Sequence, residues 1–346
     1  MEANTISQIS CVSLGMLIMD EIRMPNKSPL LNVIGGSSTF VTLGLRLFAG
    51  CPSSVGCLIL AGSDLPPEVE NEVRSWGTTL VLKKDATKPS SRGLLVYEDD
   101  TFGPKTFEYV TPPIRASPKG LEGTPLLNAT AFHFFGRPEE IIEQVPQLLY
   151  LREEQSPELP RPFIVWEPLP SSCTPTAIPD FHAACKLVDV ISPNHLEFAA
   201  LFFWDRGHQS DGAGTLERLK NLGKVFVDSG IGPDGTGTMV IRAGADGALA
   251  LRRNEPAVHV PAYYEHGDEK VVDPTGAGNA FLGGYIAGWL REGDVREALC
   301  YGAVAASLAL EQIGLPRRGD VNAGLGEERL EEFRARMENA EWTDDA

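Results

Sequence analysis

Residues 271–289 read VVDPTGAGNAFLGGYIAGW, and the reading of the whole chain starts there. Val271 and Val272 read as the apolar end of a strand, the small residues Gly276, Ala277 and Gly278 follow, and a helical pattern begins near Asn279. Small side chains at a strand-to-helix turn let several backbone N–H groups converge at a helix N-terminus, where the helix dipole is positive. Such a nest suits a phosphate, or charge that develops during phosphoryl transfer. A tight turn that binds nothing could carry the same glycines, so they do not decide alone. Gly283, Gly284 and Gly288 cost helix propensity, which implies that this helix packs closely on a neighbour.

Outward from this stretch, short apolar runs alternate with longer amphipathic ones. Strands are expected at Ile9–Met19, Val55–Leu60, Thr79–Leu82, Ala131–Phe135, Pro162–Trp166, Leu187–Ser192, Lys224–Asp228 and Thr238–Ala243. Helices are expected at Thr39–Phe48, Glu68–Trp76, Pro138–Leu151, Ile178–Lys186, His195–Phe203 and Thr215–Leu222. That order predicts an α/β fold: a doubly wound, mostly parallel sheet flanked by helices, with ligands beyond the carboxyl ends of the strands. Two segments break the rhythm. Residues 20–30 are short and hold two prolines; residues 92–110 look like a β-hairpin. They are expected to form a small β lid, leaving 1–19, 31–91 and 111–346 as the α/β domain. Leu330, Phe333 and Met337 are spaced for an amphipathic C-terminal helix, with fraying expected from Glu341 on.

Among 346 residues, 30 Lys+Arg face 47 Asp+Glu, a net charge of −17. That field repels nucleic acid and anionic membranes but spares a small phosphorylated ligand held by a local nest. The six cysteines are scattered with no CxxC pair, as expected for buried thiols in a reducing compartment rather than for zinc or disulfides. No signal peptide and no 18-residue apolar run is present, so a cytoplasmic location is expected. No GxxxxGK[ST] occurs, and the glycine-rich 230–237 stretch precedes a strand, so neither a P-loop nor a dinucleotide fingerprint is at hand. His133, inside an apolar strand, reads as a core histidine rather than a catalyst.

The 271–289 stretch resembles the C-terminal signature of the PfkB (ribokinase-like) carbohydrate kinases, in which D-x-T-G-A-G-D-A-F holds an anion hole and a catalytic base. Further matches fall in the family's order. Gly15…Asp20 resembles the first-strand turn whose Asp binds a substrate hydroxyl. Gly35-Gly36 resembles the N-terminal signature beside the substrate, and Gly62-Ser63-Asp64 the G-x-D after the second strand. Pro193-Asn194-His195-Leu196-Glu197 resembles the motif that organises magnesium and phosphates, and Gly244-Ala245-Asp246-Gly247 the turn that lies along ATP. The resemblance implies the ribokinase-like fold with a β lid, ATP and Mg2+, a small-molecule substrate, and either a monomer or a lid-mediated homodimer. Gly276, Ala277, Gly278 and residue 279 would form the catalytic centre. Asp20, Gly35, Gly36, Phe40 and Arg92 would meet the substrate, Arg92 as an anion clamp or in a packing role. Asn194, Glu197, Arg242, Gly244, Asp246 and Gly247 would serve the nucleotide, with Glu197 acting on magnesium through water. Asp273 with Thr275 would shape a monovalent-cation (K+) site or, equally, cap a turn.

The departures are as informative. Asn279 stands where the family has its catalytic Asp, and a carboxamide is no base near neutral pH. Phe40 replaces a sugar-gripping Asn, and Ile18 a polar contact; with Trp166 they suggest a less polar pocket. Arg242 stands where a Thr commonly meets ATP phosphates. The run Val165-Trp166-Glu167-Pro168-Leu169-Pro170 resembles a fungal branch of the family, the one that includes the yeast killer-virus maintenance protein. Two functions follow as expectations. One is ATP-dependent phosphotransfer to a hydroxyl of a sugar- or nucleoside-like metabolite that brings its own base. The other is a pseudokinase or repurposed non-kinase enzyme that binds nucleotide or metabolite.

Overall fold

The computed structural model describes residues 8–99, 105–203, 212–317 and 319–344. The chain opens with β1 (Cys11–Leu14), then β2 (Ile18–Arg23) and β3 (Leu30–Gly35), before α1 (Ser37–Arg46). β4 (Gly56–Gly62), α2 (Pro67–Ser75) and β5 (Thr79–Asp85) come next, followed by β6 (Arg92–Tyr97) and β7 (Lys105–Tyr109). The middle alternates β8 (Ala131–Gly136), α3 (Pro138–Gln155), β9 (Phe163–Pro168), α4 (Ile178–Cys185), β10 (Val190–Ile191), α5 (His195–Ala200) and α6 (Gly212–Asp228). β11 (Thr238–Arg242), β12 (Ala248–Arg252), β13 (Val258–Val260), α7 (Ala277–Glu292), α8 (Val295–Leu310) and α9 (Ala323–Asp344) complete the fold.

Seven strands form the main sheet in the order β1-β8-β9-β10-β11-β12-β13. The first five run parallel, and β12 and β13 add an antiparallel edge. One apolar core surrounds Phe132, Phe134, Trp166, Phe181 and Phe226. A second, around Phe281, Tyr285, Tyr301, Leu330 and Phe333, includes the C-terminal helix. Five of the six cysteines are buried, whereas Cys51 is exposed. No helix among the described residues is long and apolar enough to cross a membrane.

The small sheet has the order β3-β2-β6-β7. It takes in Ile18, Met19 and 31–35, which the sequence reading placed in the α/β part, so its boundaries are wider than 20–30 and 92–110. The expected hairpin is present as antiparallel β6 and β7; its tip, with Asp100, lies outside the described residues.

Other expectations need correction. Ile9–Met19 is not one strand. It breaks at Gly15, which lies so close under α1 that a Cβ there would stand 2.3 Å from Ser37 Oγ and 2.7 Å from Ser38 N. The chain thereby leaves the main sheet and enters the small one. β4 and β5 pair only with each other. Lys224–Asp228 forms the last turns of α6, because buried Leu219 and Phe226 lie on one helical face while Val225 faces solvent. The strand expected at Leu187–Ser192 shrinks to two residues, and the helix from His195 ends at Ala200. β12 and β13 were not anticipated. α9 continues to Asp344, past the expected fray point; the final two residues lie outside the description.

The glycines of α7 do serve close packing. A Cβ on Gly283 would meet Val41 O at 2.2 Å and Gly44 Cα at 3.0 Å, so α1 and α7 touch backbone to backbone. A Cβ on Gly284 would meet Tyr301 O of α8 at 2.3 Å, and one on Gly288 the Tyr301 side chain at 2.8 Å and Ala298 Cα at 2.9 Å. Gly283→Ala should therefore lose about 1–3 kcal/mol of stability despite alanine's better helix propensity. Urea unfolding checks this; a variant as stable as the parent would mean that the two helices separate without penalty.

Candidate functional site

The small-residue turn before α7 is present, but the strand expected to lead into it is not: the last strand among the described residues is Val258–Val260, and Val272 and Asp273 instead donate to Leu310 O. Gly276 adopts the left-handed conformation at φ 80°, and α7 begins at Ala277. The N-cap makes no side-chain hydrogen bond; Ala277 N donates to Pro274 O at 3.3 Å, and the N–H groups of Gly278 and Asn279 follow it in the first turn. Phe40 lies beneath this turn: a Cβ on Gly276 would fall 2.3 Å from its ring. Phe40 is only 2 % exposed, so it supports the turn and does not line a substrate surface. Ile18 and Trp166 are also core residues, and the Trp166 indole N–H donates to Gly136 O at 2.9 Å. The less polar pocket expected from these three residues is not what they make.

Arg242, at the end of β11, joins the separate motifs. Its Nη1 pairs with Glu167 Oε1 at 2.7 Å, its Nη2 donates to Ser192 O at 2.9 Å, and Glu197 Oε2 is 3.6 Å away. A Cβ on Gly278 would stand 2.5 Å from Arg242 Nη1, so the guanidinium lies directly against the small-residue turn. The guanidinium thus stands at the turn while paired with Glu167. Asn194 forms a β-bridge with Arg242, and the His195 ring contacts Arg242 O. Asn194 caps α5 by accepting from the Leu196 and Glu197 N–H groups, while Glu197 accepts in return from Asn194 N and Nδ2. Gly244 and Gly247 both have positive φ, and a Cβ on Gly247 would strike Val260 O at 2.1 Å. Gly244 is exposed beside His195, while Asp246 is half-buried and its carbonyl accepts from His259. The two nucleotide motifs thus lie side by side.

Asn279 donates from Nδ2 to Glu167 Oε2 at 2.6 Å. The same oxygen is 3.2 Å from His133 Nε2, and His133 Nδ1 is 2.9 Å from Ser13 Oγ. His133 is a satisfied core residue, as expected, but it is satisfied by the site. Burial would raise the Glu167 carboxyl; Arg242, His133 and Asn279 outweigh that and hold it below its ordinary range. Glu197 is pushed up to about 7, chiefly by burial, with Arg242 opposing and Glu167 adding to the rise. The sequence reading missed Glu167. The one signal was a charged residue closing a strongly apolar strand.

Asp20 is the second centre. It lies in β2 with Gly35 and Gly93 on either side, and a Cβ on either glycine would come within 2.3 Å of its carboxylate. Its Oδ1 is buried without a partner. Burial raises the carboxyl to about 7, with Lys105 opposing and Asp273 adding. Gly36, at φ 99°, packs on Met16 O and opens α1. Arg92 pairs with Asp64 Oδ2 through Nε at 3.2 Å and Nη2 at 3.1 Å, and donates to Asn32. Of its two expected roles, the packing one is the arrangement seen.

Asp273 is buried, and its Oδ1 accepts from Tyr97 OH at 2.9 Å and from Thr275 N and Oγ1 at 3.0 and 2.7 Å. The Lys105 ammonium is 3.5 Å from that oxygen and also contacts Thr275 Oγ1 and, at 3.1 Å, Tyr97 OH. A protein cation already neutralises this carboxylate, so the expectation of a monovalent-cation site at Asp273 is not supported; the turn-cap alternative matches the bonds. Tyr97 and Lys105 belong to the small sheet, which they tie to the turn before α7. Neither was singled out from the sequence.

Because the folded Asp20 carboxyl lies near 7, above its ordinary 3.8, its favourable contribution is full below about 4 and is lost as pH rises through 7. Asp20→Asn should leave stability at pH 4 nearly unchanged and raise Tm at pH 8 by roughly 4–8 °C. Equal Tm differences at the two pH values would contradict a buried, unpaired carboxylate.

Comparison with known proteins agrees with this geometry. The pfkB family carbohydrate kinase profile matches residues 151–317. An uncharacterized protein of Schizosaccharomyces pombe is 32% identical over 334 residues, covering 92% of this chain and 88% of that one. Protein MAK32 of Saccharomyces cerevisiae is 29% identical over 333 residues, with 91% and 88% covered. Among solved structures, an Escherichia coli protein assigned as ribokinase II, in complex with ATP and Mg2+, superposes with a TM-score of 0.67 at 17% identity, covering 94% of this chain and 99% of that one. The fold is therefore the ribokinase-like α/β fold, and the chain belongs to the PfkB carbohydrate kinase family, in company with its fungal members.

Proposed function

We propose that this protein transfers the terminal phosphoryl group of ATP to a hydroxyl of a small, sugar- or nucleoside-like metabolite. The observation that carries this reading is the Arg242 guanidinium seated against the Gly276–Gly278 turn at the N-terminus of α7. Backbone donors and a fixed cation together form a preorganised site for the charge of a transferring phosphoryl group. The adjacent Gly244–Gly247 turn offers an exposed nucleotide surface. The E. coli structural relative binds ATP and Mg2+. Here Asn194 and Glu197 would hold Mg2+ through water, and the ion would supply charge neutralisation at the phosphates. Both are committed to each other and the Glu197 carboxylate is buried, so any hold they have on the ion would be through water and not by direct coordination.

Asp20 would accept from an acceptor hydroxyl, which satisfies its unpartnered Oδ1. The acceptor's oxygen forms the new bond to phosphorus, the bond to the ADP oxygen breaks, and the hydroxyl proton passes to a basic group on the acceptor itself. Asn279 orients that hydroxyl without taking its proton. The lock between Asn279 and Glu167 favours a second reading, a nucleotide- or metabolite-binding protein on the same fold that has lost phosphotransfer or serves other chemistry.

Millimolar Mg-ATP or Mg-ADP should raise Tm by mass action, and ATP should be consumed with one of a panel of hydroxylated acceptors that carry a carboxylate or amine. Asn279→Ala should then cut turnover on the order of 10²-fold with nucleotide binding preserved. A Tm shift without turnover on any acceptor would select the second reading. No shift and no binding heat would remove the nucleotide site altogether.

A further inference from the structure

We propose that Glu167 carries the negative charge of this catalytic centre in place of residue 279, as a positioning residue that turns Asn279 toward the acceptor and excludes a carboxylate from that position. This deepens the phosphotransfer reading and rests on it for the acceptor's role. Glu167 closes β9 and is almost fully buried. Arg242 of β11, His133 of β8 and Asn279 of α7 converge on its two oxygens, and Glu197 of α5 shares Arg242. A carboxylate among three donors is an acceptor at every contact. Asn279 must therefore present Nδ2 to it, which leaves Oδ1 as the free acceptor for a substrate hydroxyl.

The same contact explains why residue 279 is an amide. An Asp at 279 would bring two carboxylates together where Nδ2 and Oε2 now lie 2.6 Å apart. Inside the protein such a pair cannot hold both charges and shares one proton. Position 279 can regain a carboxylate only if position 167 gives up its own. Glu167 also draws the Arg242 guanidinium to the turn, so one buried charge fixes both the amide and the cation of the site.

The test compares wild type with Asn279→Asp, Glu167→Gln and the double variant. Asn279→Asp should lower Tm more at pH 8 than at pH 5, and its infrared spectrum at neutral pH should gain a protonated-carboxyl band absent from wild type. The double variant, in which a glutamine donates to an aspartate, should lose that band and melt above Asn279→Asp at pH 8. Losses that simply add, or an Asn279→Asp protein with no pH-dependent deficit, overturn the proposal. Should the position-167 variants not fold, wild type labelled with 15N-asparagine decides the matter. The Asn279 side-chain amide, assigned through Asn279→Ser, should show one downfield, slowly exchanging proton from pH 5 to 8. An ordinary fast-exchanging amide overturns the proposal. None of these readouts uses turnover, so failure to find an acceptor would count against phosphotransfer and leave the charge assignment standing.

Discussion

The buried ion pair between Arg242 and Glu167 is the contact on which the site depends. Taking a guanidinium and a carboxylate out of water costs several kcal/mol per ion, and only near-complete hydrogen bonding returns it. Here the carboxylate has three donors, and the guanidinium has Glu167, Ser192 O and, farther off, Glu197, with only Nε left without a partner. Each partner comes from a different segment of the fold. The end of the parallel sheet, the nucleotide-side helix and the start of α7 are therefore held in register by charge, where apolar packing could not specify them. Neither ion could remain buried if the other were absent.

A second electrostatic arrangement lies on the substrate side and works in the opposite sense. Asp20 is left underpaired, with its charge disfavoured by burial. Lys105 answers Asp273 first and influences Asp20 only at a distance. The Arg242 cluster leaves a buried donor unmet, the guanidinium Nε, whereas around Asp20 it is carboxylate oxygens, Asp20 Oδ1 and Asp273 Oδ2, that are buried without a donor.

The parts that could be read from sequence are those whose physics is local. The small-residue turn at Gly276–Gly278 and the helix that follows it are set by residues a few positions apart and are legible from those residues, while the motifs at 193–197 and 244–247 are legible through their resemblance to the family. Glu167 and Asn279 are 112 residues apart and meet only when β9 and α7 are assembled. Lys105 reaches Asp273 across 168 residues. Nothing in either segment foretells the other. The errors in the fold have similar origins. Gly15 breaks an apolar run because of α1, far along the chain, and Val225-Phe226-Val227 looked like a strand until one helical face found the sheet. Phe40 looked like a substrate residue because its position in the motif was right; its depth could not be known from the motif.

Asp20 is carried by β2, which is bonded on one side to β3 and on the other to β6. It therefore belongs to the small sheet and not to the platform beneath. The chain enters this sheet from β1 across residues 15–17 and leaves it through Gly35 and Gly36. Any displacement of the sheet must transport the carboxylate with it, since shearing β2 alone would break pairings on both flanks. The small sheet and the carboxylate are mechanically one body, and two of the four chain crossings that join the sheet to the rest of the fold are marked by Gly15 and Gly36. A molecule that satisfies Asp20 would thereby draw its own enclosure into place, and one that cannot would leave the assembly slack.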